Sequence, residues 1–161
     1  MFEKLSSLGG ELLTKYLSEL GDKSLVGIPQ DPNQVTFAKK ISKEEGNWSP
    51  EWSAVETHNR LRAFTPWPGV RAKLDDGSEI KIIKTSLESF HLNNLAPGEL
   101  QVHMNKVVLG STVRASDHGR TLVLESIQVP GKAAVKALDY FRNYLHRGAG
   151  QKLPRLLKIE Q

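Results

Sequence analysis

The sequence predicts a mainly β fold with flanking helices. A small β-barrel is preceded by an N-terminal helix and an extended linker, and a C-terminal helix closes it. Three observations predict this. Apolar residues recur at helical spacing near both ends and over residues 49–64. Between Gly69 and Val129 the period changes to two, with turn formers at short intervals. Several short strands at this spacing favour closure over an open sheet, because closure removes unprotected edges.

Leu5, Leu8, Leu12, Leu13, Tyr16, Leu17 and Leu20 mark an amphipathic helix over 4–20, with Gly21 as its stop. Gly9 and Gly10 weaken it by up to about 1 kcal/mol each relative to alanine, as close packing on a neighbour would explain. Its apolar stripe has to be buried somewhere. Residues 22–37 (DKSLVGIPQDPNQVTF) are rich in turn formers and read as linker. Ser49-Pro50 resembles an N-cap followed by proline in the first helical position. Ala54, Thr57, His58, Leu61 and Phe64 continue at helical spacing to a stop before Pro66.

In RAFTPWPG (62–69) two prolines bracket Trp67, which is expected to plug one end of the barrel or, alternatively, to stack on a base. Val70, Ala72 and Leu74 alternate with Arg71 and Lys73, Asp75-Asp76-Gly77 makes a hairpin turn, and Ile80, Ile82 and Ile83 form the returning strand. Residues 99–104, 107–115 and 121–129 are further strands, the last two joined at Asp117-His118-Gly119. A terminal helix is expected over 132–146, with Val135, Leu138, Phe141 and Leu145 inward.

Composition narrows the function. The 161 residues include no cysteine, which removes disulfides and thiolate metal sites. No apolar run reaches the roughly 20 residues that span a bilayer, and MFEKLSSLGGELL lacks a signal-peptide layout. A cytoplasmic protein, with neither membrane nor metal among its partners, is expected. Histidines 58, 91, 103, 118 and 146 are dispersed, so no metal site is predicted, and a packed or hydrogen-bonded role is the plainer one for His58. Glu44-Glu45 flanks lysines and Asp75-Asp76 sits in a hairpin tip; neither resembles an enclosed acid–base pair. No nucleophile elbow or phosphate-cradling loop is present.

What remains is basic. The net charge is +4. Lys39, Lys40 and Lys43 cluster before the short helix, and Arg60 and Arg62 lie on it. Arg71, Lys73, Lys81 and Lys84 belong to the first two strands. The tail adds Lys132, Lys136, Arg142, Arg147, Lys152, Arg155 and Lys158 against Asp139 and Glu160. Solvated surface lysines are the bland alternative; a barrel with these residues on one face suits a nucleic-acid backbone.

FAKKISKEEGNW followed by HNRLRAFTPWPG, then PGEL and LVLESIQVPGKAAVKALDYFRN, resembles the C-terminal portion of bacterial methionyl-tRNA formyltransferases along nearly the whole chain. The stretch 107–123 is longer than in that family. The resemblance implies a translation-initiation enzyme that passes a formyl group from 10-formyltetrahydrofolate to methionyl-initiator tRNA. Residues 1–21 would be the terminal helix of a Rossmann-like catalytic domain that is itself missing, 22–48 the linker, and 49–161 an OB-like tRNA-binding domain. The first helix's stripe would lie against that catalytic domain.

No equivalent of the family's SLLP segment or of its catalytic asparagine, histidine and aspartate occurs, so no catalytic residue is carried over and the chain is expected to be inactive alone. The folate donor would be bound by the missing domain, leaving no cofactor in this chain. Lys39, Lys40, Lys43, Arg62, Arg71, Lys73, Lys81 and Lys84 would hold the inner elbow of the tRNA, and Lys136 and Arg142 would add backbone contacts. Two other readings stay open: a fragment that complements a catalytic domain in trans, and the C-terminal domain of a sugar formyltransferase-like enzyme that binds no RNA.

Overall fold

The computed structural model describes residues 2–19, 27–90, 95–146 and 153–159. Leu20, Gly21, the first linker residues, His91, Arg147, Lys152 and Glu160 lie outside the described residues. The chain forms two compact units, Met1–Lys39 and Lys40–Gln161.

In the first unit, helix α1 (Phe2–Glu19) follows the leucine spacing. Leu5, Leu8, Leu12, Leu13 and Leu17 are all exposed, and a Cβ at Gly9 or Gly10 would meet nothing. From residue 27 the chain is irregular apart from a single 3₁₀ turn, Pro32–Gln34, where the Asp31 carboxylate accepts from the Asn33 N–H.

The second unit opens with a 3₁₀ turn, Glu44–Gly46, and then Trp48, whose side chain is fully buried. The Trp48 N–H donates to the Arg71 carbonyl at 2.7 Å, which pins this segment to the sheet. Helix α2 (Ala54–Ala63) begins four residues later than the Ser49-Pro50 signal suggests. Its N-cap is Ser53, whose hydroxyl accepts from the Glu56 N–H at 3.2 Å. Ser49 instead accepts from the Glu51 N–H in a preceding turn. The helix ends at Phe64, and the Gly69 N–H turns back to the Phe64 carbonyl at 2.8 Å.

That return contact answers what the PWPG corner is for. Phe64 is the buried anchor, and the loop between the two hydrogen-bonded residues projects outward, leaving Trp67 56% exposed. Trp67 therefore does not plug the fold. Trp48 occupies the core.

Strands β1 (Val70–Leu74) and β2 (Glu79–Glu88) form the predicted hairpin. Next come β3 (Leu100–His103), β4 (Lys106–Leu109) and β5 (Thr121–Gln128). The fourth strand is shorter than expected because the chain leaves the ladder after Leu109. A 3₁₀ turn at Ala115–Asp117 follows, in which the buried Asp117 carboxylate caps the Arg114 N–H at 3.1 Å. The C-terminal helix α3 (Ala137–His146) starts later than predicted, since Val135 and Lys136 form a short strand β6 on β5 and Val135 is 41% exposed. Phe141 is fully buried, with Leu138 and Leu145 packed on the same core. Strand β7 (Leu156–Leu157) pairs with β1.

The result is a mainly antiparallel sheet in the order β3-β4-β5-β2-β1-β7, with β6 on β5 and helices alongside. It is not a closed barrel, because no ladder joins β3 to β7 among the described residues. Among the described residues one backbone hydrogen bond links the two edges, from the Leu156 N–H to the Gly98 carbonyl at 2.8 Å, and the Arg155 Nη2 donates to the neighbouring Pro97 carbonyl at 3.1 Å. Gly98 has φ +85°, and a Cβ there would run into the Leu156 carbonyl. Closure by one backbone bond and one side-chain bond, without a ladder, explains why strand counting overstates it.

The inward residues Val70, Ala72, Leu74, Ile80, Ile82, Leu124 and Ile127 meet Trp48, Phe141 and Leu156 in one core. Each fully buried aliphatic side chain contributes about 1.5–3 kcal/mol relative to exposure, so this cluster dominates the stability of the unit.

Candidate nucleic-acid interface

Strand alternation turns Arg71 and Lys73 away from the core. In the β1–β2 ladder Arg71 stands opposite Lys81, so the two share the outer face. Continued alternation would carry Lys84 inward with Ile80 and Ile82. It does not, because the β2–β5 register shifts between Ile82 and Lys84 and again before Thr85. A break of this kind re-aims side chains. Lys84 emerges exposed, Thr85 is buried, and Lys84 stands opposite Ser126. On its other side Ser126 pairs with Lys136 of β6. Arg71, Lys73, Lys81, Lys84 and Lys136 thus lie on one outer face.

These cations differ in what holds them. Lys73, Lys81 and Lys136 make no ion pair among the described residues, and they present free ammonium groups. Lys84 Nζ lies 2.7 Å from Glu125 Oε2, and that contact holds the Glu125 carboxyl below its usual range. Arg71 is half-buried and works first as a clamp: Nη2 donates to Asn47 Oδ1 at 2.9 Å and to the Lys43 carbonyl at 3.4 Å. Arg142 Nη2 donates to Asn105 Oδ1 at 2.8 Å, in the turn between β3 and β4. Lys40 and Lys43 are exposed in the segment leading to β1. Arg62 is exposed on α2. Lys39 belongs to the other unit and is exposed there.

One residue of this face escapes sequence reasoning. A groove of about 510 Å³ runs across β2, β4, β5 and β6, lined by Lys84, Lys106, Lys136, Glu88, Glu125 and Asn105, among others. Lys106 Nζ sits 2.6 and 2.7 Å from the two Glu88 carboxylate oxygens and 5.9 Å from the Phe90 ring centre. The Phe90 ring stands edge-on to His103, 5.0 Å away. The available signal was the HMNK turn: Met104 and Asn105 both have positive φ, which places Lys106 directly opposite His103.

Two other arginines of this unit, Arg60 and Arg114, serve the fold. Arg60 stacks over the Trp52 ring at 4.3 Å and pairs with Glu56 at 3.0 Å, while Arg114 reaches the same carboxylate at 3.1 Å. His58 Nδ1 is 2.9 Å from Thr85 Oγ1, a structural contact. Burial lowers its pKa, the Arg62 charge adds to that, and Glu125 opposes it. Among the described residues no group of histidines and carboxylates could hold a metal, and no helix is long and apolar enough to cross a membrane. The arrangement suits binding of an extended anion by several separated cations.

Residues 40–145 match the family model described as the formyl transferase C-terminal domain. The chain belongs to that family. Two curated methionyl-tRNA formyltransferases are among its relatives. The protein of Koribacter versatilis (strain Ellin345) is 33% identical over 95% of this chain and 46% of its own length. That of Anaeromyxobacter dehalogenans (strain 2CP-C) is 36% identical over 84% of this chain and 42% of its own. The chain therefore spans about half the length of the curated relatives it matches. Among solved structures, HypX from Aquifex aeolicus, determined with tetrahydrofolic acid, shares the fold with a TM-score of 0.56 at 16% identity, covering 94% of this chain and 26% of HypX. This formyl transferase C-terminal domain thus carries its basic face on the strands that define the fold.

Proposed function

We propose that this chain is the tRNA-holding C-terminal portion of a methionyl-tRNA formyltransferase, which formylates methionyl-initiator tRNA using 10-formyltetrahydrofolate. The carrying observation is the shared outer face of Arg71, Lys73, Lys81, Lys84 and Lys136 in a member of this family. In this reading residues 1–21 end a Rossmann-like catalytic domain, 22–48 are linker, and 49–161 bind RNA. The catalytic domain and initiator methionyl-tRNA are the partners, and Lys40 and Lys43 extend the basic face into the lead-in segment.

Cations spaced along a sheet match phosphates along a strand. They position the RNA and carry little sequence information. Formyl transfer is assigned to the catalytic domain. No chemical step is placed on the described residues.

Amide chemical-shift mapping with initiator tRNA tests the reading. Perturbations concentrated on β1, β2, β5 and β6 support it. Perturbations confined to α2 and its Arg60–Glu56–Arg114 side, or none at all, oppose it and favour a domain that binds no RNA.

A further inference from the structure

The outer face is not uniformly positive. Two carboxylates stand inside the groove, and each sits on one of its lysines. Lys106 contacts both oxygens of Glu88 at 2.6 and 2.7 Å, and Lys84 contacts Glu125 at 2.7 Å. Glu88 and Glu125 line the same groove as both lysines and Lys136. Neither pair is buried: side-chain exposure is 43% and 28% for Lys106 and Glu88, and 71% and 33% for Lys84 and Glu125. Exposed pairs of this kind add little to stability, about 0–1 kcal/mol. Folding therefore gives weak reason for their presence, whereas an approaching polyanion meets them directly.

A phosphate reaching Lys84 or Lys106 has to share the ammonium group with a carboxylate already in contact. If it displaces the carboxylate, the ion pair is lost and a negative charge is left beside the phosphate. If it does not, the lysine's charge is already compensated and releases little counterion atmosphere from the RNA. Both routes weaken binding relative to the same lysines standing free.

We infer that Glu88 and Glu125 are built-in competitors for the RNA phosphates, setting the affinity of this face below what its lysines alone would give. Lys73, Lys81 and Lys136, which lack such partners among the described residues, supply the primary hold. The paired lysines form a second, weaker zone. The inference rests on the tRNA-holding reading above and concerns the regulation of that same surface. Its consequence is release: a domain that presents RNA to a catalytic partner has to let the product go, and capped affinity means a faster escape and a shorter residence time.

The test titrates the full chain and its Glu88→Gln and Glu125→Gln variants with initiator tRNA across a salt series. Glutamine keeps the shape and removes the charge. Each variant is expected to bind about three- to tenfold tighter at low salt, with a slope of log K against log salt steeper by up to about 0.9 as the freed lysine takes a phosphate. The double variant Lys84→Gln/Glu125→Gln restores the wild-type net charge and should return the affinity to within about twofold of wild type, which a merely structural role for Glu125 does not require. Unfolding midpoints of all variants confirm that the fold is retained. Unchanged or weaker binding by both single variants, with the wild type binding normally, overturns this inference and leaves the tRNA-holding reading standing. Absence of binding by the wild type removes both.

Discussion

The Arg71 guanidinium donates to Asn47 Oδ1 at 2.9 Å and thereby ties β1 to the segment that leads into the sheet. Arg71 Nη2 also reaches the Lys43 carbonyl, so one side chain on the basic face organises the backbone that carries Lys40 and Lys43. Removing it should act on stability as well as on RNA. Arg71→Ala is expected to lower unfolding free energy by about 1.5–3 kcal/mol, the range for hydrogen bonds to a charged group. Lysine, which lacks the guanidinium fork, should recover only part of that. Urea denaturation checks this, and an unchanged midpoint would contradict the clamp.

The tryptophans should separate cleanly. Trp48 is fully buried in the core, and its indole N–H has no hydrogen-bond partner among the described residues. Trp48→Ala should therefore cost about 3–5 kcal/mol, as large-to-small core substitutions do. Phenylalanine sacrifices no hydrogen bond and should cost much less. Trp67→Ala, at a site 56% exposed, should cost less than about 1 kcal/mol. Equal losses at the two positions would reject the assignment of Trp48 as the core residue.

That contrast shows what the sequence did and did not reveal. Strand alternation, the Asp75-Asp76-Gly77 turn and the leucine spacing were legible because each depends on neighbours a few residues away. Which tryptophan is buried depends on a parallel bridge between Asn47 and Arg71, a long-range contact with no local signature. Ser49-Pro50 was a good capping signal outcompeted by Ser53, whose hydroxyl reaches a helical N–H. The outward turn of Lys84 depends on a register shift that residue patterns do not announce. The pairing of Lys106 with Glu88 was invisible for the same reason, being set by a turn and a strand far apart in the chain.

Gly98 makes the backbone joint between the edges of the sheet among the described residues. At φ +85°, with the Leu156 carbonyl where a Cβ would go, alanine is strained twice over. Gly98→Ala should cost at least about 1–2 kcal/mol from the left-handed conformation alone. The Leu156 amide should lose hydrogen-exchange protection, and full retention would mean that the edges are held together by something else.

His58 gives a pH dependence with a definite sign. Its folded pKa lies below the ordinary 6.5, chiefly through burial, so protons bind the unfolded chain more readily. The stability it confers is complete above the unfolded value and is lost as pH falls through the folded one. Unfolding midpoints of the wild type should therefore drop between about pH 7 and pH 5 more than those of His58→Gln. Parallel profiles would remove His58 as the cause.

Lys73 and Lys81 carry the central claim, because they share the outer face and have no ion-pair partner among the described residues. The most direct measurement is the affinity of the chain for initiator tRNA across a salt series, for the wild type, Lys73→Gln and Lys81→Gln. The account predicts affinity that falls steeply with salt, and a slope lower by about 1 for each lysine removed, with unfolding midpoints unchanged. Absent binding, or binding whose salt slope neither substitution alters, would contradict it.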